Sequence, residues 1–111
     1  SNLRAPMRID DPAQIAKAHQ MRQALGLPGG QLVANPIPHA DEIASEELAP
    51  VIAQANAEAA AQGVAGKDVT PFLLQRIFEL TEGRSLVANI ALVRNNARLA
   101  AAIATELAKS T

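Results

Sequence analysis

The sequence predicts a mostly helical α/β chain of about four helices and one or two short strands. Three observations carry this. Four stretches repeat apolar residues at the three- and four-residue spacing of an amphipathic helix. One short apolar run, Leu32–Val33, has strand character but is cut off by Pro36 and Pro38. Finally, the 111 residues are 49% hydrophobic yet only 2% aromatic, with no Trp or Tyr, so alanine supplies much of the apolar surface. Each alanine buries little area, and a lone strand pairs with nothing. Both point to a sheet elsewhere and to helices that pack on a larger surface.

The elements follow in order. "LRAPMRID" is extended or loop-like, because Pro6 biases Ala5 away from the helical region. Asp10 or Asp11 then caps a helix whose first residue is Pro12, with Ile15, Ala18, Met21, Ala24 and Leu25 at helical spacing and "GLPGG" as its stop. A second helix starts between Ser45 and Pro50 and closes at Gly63, with Val51, Ile52, Ala55 and Ala59 as its apolar stripe. For the third, Thr70 is the expected N-cap, Pro71 the first residue and Val69 a staple onto Leu74, with Leu73, Leu74, Ile77 and Leu80 lining one face. Ser85 is expected to cap the last helix, which runs to about Lys109.

That last helix raises a question. At about 100° per residue, Leu86, Asn89, Val93, Asn96, Ala97, Ala100, Ile103, Ala104 and Leu107 share one arc, so two amides are expected on the buried face. Asn89 and Asn96 are about two turns apart, whereas the adjacent Asn95 falls on the far side and is expected in solvent. A buried amide must find hydrogen bonds. Asn96 would find them in a backbone carbonyl or a neighbouring loop; Asn89, nearer the helix start, is as well placed to meet a polar ligand.

Other chemistry is sparse. The net charge is −1 and no basic patch or aromatic platform exists for nucleic acid polymers. The absence of cysteine excludes disulfides and thiolate metal sites and fits a cytoplasmic setting. No stretch has the roughly 18 unbroken apolar residues of a membrane span, and no signal peptide is legible at the start. "GVAGKDVT" fails as a phosphate loop, since Gly63 and Gly66 are too close and Asp68 follows Lys67. The helix starts near Thr70 and Ser85 could receive an anion, as any capped helix could. His19 and His39 have no ligand partners at metal spacing, and Asp41, Glu42, Glu46 and Glu47 read as the acidic approach to a helix.

Four blocks, "LRAPMRIDDPAQIA", "LGLPGGQLVANPIP", "GVAGKDVTPFLLQRIFELTEGRSL" and "ANIALVRNNARLAAAIA", resemble in this order the C-terminal part of the pseudouridine-5′-phosphate glycosidase family, which includes the indigoidine synthase A-like proteins. The resemblance covers nearly the whole chain; residues 40–62 match only in character. One departure is Glu82, where the family has a second glycine before Gly83. The resemblance implies an α/β/α layered, homotrimeric enzyme that reversibly splits the C–C glycosidic bond of pseudouridine 5′-phosphate into uracil and ribose 5-phosphate. It also implies a lysine that forms a Schiff base with the ring-opened sugar, a glutamate proton donor and a divalent metal, manganese. These lie in the family's N-terminal portion, so no catalytic or metal-binding role falls on this chain, and none is transferred to Lys17, Lys67 or Lys109. The family's asparagine contact with the sugar-phosphate substrate matches Asn89 in "SLVANIAL", with Asn96 holding a nearby loop or helix in place.

The expectation is therefore that residues 1–111 are the C-terminal portion of a single glycosidase domain, inactive without the rest of the enzyme chain. Two alternatives stand beside it. One is a related lyase of the indigoidine synthase A-like group acting on another phosphosugar adduct; the other is a helical interaction module without chemistry.

Overall fold

Helix-ending turns fix the limits of the elements, and their chemistry is local. The structure, a computed structural model, describes residues 3–109. Its four helices are α1 (Pro12–Ala24), α2 (Ser45–Ala61), α3 (Val69–Leu80) and α4 (Arg84–Lys109), with 3₁₀ turns at His39–Asp41 and Gly66–Asp68. Asp11 caps α1, its carboxylate accepting from the Ala13 N–H at 2.9 Å, and Pro12 fills the first position, where no N–H is needed. α1 and α2 end alike. Gly26 (φ 67°) and Gly63 (φ 69°) take the left-handed conformation. The next residue's N–H then reaches back five residues, Leu27 to Arg22 O and Val64 to Ala59 O.

The third such turn breaks the pattern. α3 ends with the same pair of bonds, Glu82 N–H to Glu79 O and Gly83 N–H to Phe78 O, but the left-handed residue is Glu82 (φ 53°). A side chain there meets the Cβ crowding that glycine avoids. Replacing Glu82 with Gly is therefore expected to stabilise the protein by about 0.5–1 kcal/mol. A higher urea midpoint at unchanged slope would show it; a lower midpoint would mean that the Glu82 side chain makes a compensating contact.

Three expectations need correction. No strand forms among the described residues; Leu32 and Val33 lie in a run without helix, turn or bend, since nothing here offers them a pairing partner. α3 begins at Val69 rather than after a Thr70 cap, because the Gly66–Asp68 turn feeds straight into it and Pro71 still falls in the first turn, where its missing N–H costs little. α4 begins at Arg84, and its Ser85 N–H is capped by Thr81 instead. The Thr81 hydroxyl, in a buried side chain, accepts that N–H at 3.1 Å and donates to Ile77 O at 2.7 Å, tying the end of α3 to the start of α4.

The chain forms two compact units. The first comprises residues 1–36 and 94–111, the second residues 37–93, so α4 contributes to both. In the second unit α2 packs on α3. Ala55 and Ala59, at 0% and 5% exposure, are the buried positions of α2, and Glu58 on the same face reaches Arg76 of α3 with both carboxylate oxygens. Arg76 also binds Glu79 at 3.0 Å, and Arg84 grips Glu47 with two bonds. In the first unit Ala16 is the buried hydrophobic side chain, while Met21 and Leu25, expected on the packed stripe of α1, are exposed.

Neither unit encloses a core of large side chains: the buried hydrophobic residues described are the alanines Ala16, Ala55 and Ala59. The chain exposes 8580 Å². Two separate folded bodies sharing its mass would expose roughly 7,000 Å². The surplus is about twice what one partner contributes to a standard interface, roughly 800 Å² a side.

The ion pairs carry a pH dependence. Hydrogen bonding from Arg76, then from Gln54, holds Glu58 below the ordinary glutamate value of 4.5. Gln75 and then Arg76 lower Glu79 in the same way, and Arg84 lowers Glu47. A carboxylate lowered on folding contributes stability that is complete above its unfolded value and lost as pH falls through its folded one. Glu58→Gln is thus expected to cost more stability at about pH 7 than at about pH 3, because the contribution fades as pH falls below the unfolded value. Urea titrations of both proteins at the two pH values check this; an equal difference at both would exclude the ion pair as its cause.

Candidate functional site: an unpaired amide beside an apolar groove

The turn at Thr81–Gly83 brings the start of α4 beside α3, and between them lies a groove of ≈ 550 Å³ in the second unit. Pro71, Leu74, Ile77, Phe78 and Leu86 form apolar walls, and Gln75, Ser85 and Asn89 add the polar groups. Gly83 beside the groove takes φ 82°, the left-handed region that favours glycine. Asn89 is exposed, and its amide makes no hydrogen bond to any described residue. It therefore offers one acceptor and two donor hydrogens to a ligand in the groove.

This differs from the expectation of two amides on a packed face. Asn89 and Asn96 are both exposed, as are Leu86, Val87, Ile90 and Val93, at 50%, 69%, 46% and 58%. The arc is apolar as read, but among the described residues its first half stays largely exposed, whereas Ile103 and Leu107 are half-buried. Leu74, expected on the packed face of α3, is likewise 63% exposed and turned to the groove.

In the first unit the neighbouring amides of α4 exchange the exposures the helical wheel assigned them, while Asn96 keeps the expected bond to a neighbouring loop. Asn95, expected in solvent, is half-buried and donates to Pro36 O at the long distance of 3.5 Å. Asn96 accepts from Asn35 Nδ2 at 3.1 Å. Asn35 is a residue that sequence reasoning passed over. Its only signal is the following Pro36, which holds a preceding residue in an extended conformation.

No group of three or more His, Cys, Asp or Glu side chains able to hold a metal occurs among the described residues. His39 instead lies 3.0 Å from Glu42 in an exposed pair. Lys17 and Lys67 are exposed and without ion-pair partners among the described residues, and Lys109 pairs with Glu106 at 2.9 Å. None has the buried, desolvated setting that activates a Schiff-base amine. No described helix is long and apolar enough to cross a membrane.

Comparison with known proteins places these features. The chain is 70% identical over 107 residues to a pseudouridine-5′-phosphate glycosidase of Roseobacter denitrificans, covering 96% of this chain and 34% of that protein. It is 67% identical to one of Paracoccus denitrificans, covering 97% and 36%. A more distant glycosidase of the same name, from Solibacter usitatus, is 50% identical over 96% of the chain and 36% of its own length. The chain thus spans about a third of the length of the curated relatives it matches. The family described as indigoidine synthase A like protein matches residues 1–106, a span that takes in both units, the groove and Asn89. By that match, the chain belongs to the indigoidine synthase A like family.

Proposed function

We propose that this chain is the C-terminal portion of a pseudouridine-5′-phosphate glycosidase with an α/β/α layered fold. The observation that carries the reading is the 70% identity over 107 residues to a protein of that name. In it Asn89 binds the sugar-phosphate part of the substrate, reaching it from the groove between α3 and α4. The apolar walls favour such a contact, because an amide hydrogen bond strengthens where water is excluded. The pairs Asn95–Pro36 and Asn96–Asn35 hold the segment before Ile37 to α4. The reacting amine, the proton donor and a divalent metal, manganese, are supplied from outside this stretch, and the working assembly is a cytoplasmic homotrimer.

The lysine chemistry explains why the reaction needs more than this chain. An amine condensed with the sugar C1 makes that carbon an electron sink, so the C–C bond to the base can break. The test is uracil release from pseudouridine 5′-phosphate by the full-length protein with manganese, followed by chromatography. Release supports the reading. No uracil from that substrate, with turnover of a different phosphosugar adduct, would move the protein to a related lyase activity.

A further inference from the structure

One buried hydroxyl joins the two walls of the groove. Among the described residues Thr81 is the polar side chain that is buried, at 7% exposure. Its Oγ1 donates to the Ile77 carbonyl at 2.7 Å and accepts the Ser85 N–H at 3.1 Å. Ile77 and Ser85 both line the groove, one on α3 and the other on α4, whereas Thr81 lies outside the lining. The hydroxyl is thus a strut between the walls rather than part of the surface a ligand meets.

Little else fixes this corner. The wall side chains Leu74, Phe78 and Leu86 are exposed, so packing holds them only in part. Arg84 reaches Glu47 of α2, but both partners are about half exposed, and such pairs add little. Backbone bonds close the turn on itself, Gly83 N–H to Phe78 O and Arg84 N–H to Thr81 O. Past Arg84, the link back to the end of α3 runs through the Thr81 side chain.

Asn89 follows Ser85 by four residues, about one helical turn, so the place of its amide depends on where α4 starts. A helix start whose N–H groups lose their partner shifts to find another or frays, and Asn89 would shift with it. We infer that Thr81 is a positioning residue: its hydroxyl sets the spacing of α3 and α4 and so holds the Asn89 amide within reach of the sugar-phosphate. The inference rests on the reading of Asn89 as a substrate contact; Thr81 itself touches no ligand. Its leverage is large, since a displacement of about 1 Å at a substrate-binding group can cost about a hundredfold in rate.

A double-mutant cycle in the full-length protein tests it, with uracil release as the readout. Thr81→Val keeps the shape and removes the hydroxyl. It should lower kcat/KM by about tenfold or more, divided between kcat and KM as for Asn89→Ala. In an Asn89→Ala background the same substitution should cost no more than about twofold, because the group it positions is gone. Thr81→Ser, which keeps the hydroxyl, should stay close to the parent protein. If the protein turns over a different phosphosugar adduct, the same cycle is read on that substrate. Should Thr81→Val fail to fold, hydrogen exchange in the unsubstituted protein still decides. The Ser85 N–H must then exchange more slowly than an open chain, although a first-turn N–H has no partner within its own helix. Equal losses from Thr81→Val with and without Asn89 would overturn the inference, as would open-chain exchange at Ser85, and either would leave Asn89 as a substrate contact. Normal kcat and KM for Asn89→Ala would remove both.

Discussion

Asn89→Ala in the full-length protein is expected to lower kcat/KM for uracil release from pseudouridine 5′-phosphate by about 1–3 kcal/mol, roughly 5- to 150-fold. The reasoning starts from what the amide lacks. Asn89 makes no hydrogen bond within the described chain, so its removal breaks no internal contact. It also stands in the lining of a largely apolar groove with Leu86 and Phe78, where a lost hydrogen bond to a ligand is not readily replaced by water. A fall in kcat would place its contact in the transition state, and a rise in KM alone would place it in substrate binding. Unchanged kcat and KM would remove Asn89 from the site. Alanine also favours a helix over asparagine, so the substitution adds no helix-propensity cost.

The second large effect concerns stability. Ala55 is 0% exposed on the face of α2 that meets α3. Ala55→Leu adds a branched side chain where the helices already touch, and the helices must separate or the leucine must take a strained rotamer. The expected cost is about 1–3 kcal/mol. Part of the damage would pass to the Glu58–Arg76 pair, one turn away on the same face, because its two-point geometry depends on the helix separation. The readout is the urea midpoint of the full-length protein. A change within about 0.5 kcal/mol, as for a surface substitution, would show that α2 and α3 are loosely apposed. Ala55→Gly, which leaves the interface open, serves as the contrast: its cost should be the helix-propensity penalty of about 1 kcal/mol and no more than a small void.

These two predictions bracket how much was legible beforehand. Asn89 was singled out because an amide on an apolar arc is chemically odd, and the arc itself is apolar as read. What periodicity could not supply was the covering. A helical wheel says which residues share a side of α4, but whether that side is packed depends on what lies opposite, and Leu86, Val87, Ile90 and Val93 stay 46–69% exposed. The same blindness sent Asn95 to solvent, where the structure half-buries it. It also missed Asn35, whose partner Asn96 is 61 positions away. A hydrogen bond between residues so distant leaves no trace in local spacing.

By itself the sequence determined the helices and most of their ends. Asp11–Pro12 opens α1, and Gly26 and Gly63 close α1 and α2, because capping needs only a few consecutive residues and their own backbone. It also pointed to alanine-rich helices that pack on a larger surface, since side-chain size is written in the residue names. Only the tertiary structure decided the rest. It showed that α3 starts early from a 3₁₀ turn, that buried Thr81 rather than Ser85 caps α4, and that Glu82 takes a glycine's conformation. Each of these turns on which groups meet across the fold, and that is set by packing in space rather than by order along the chain.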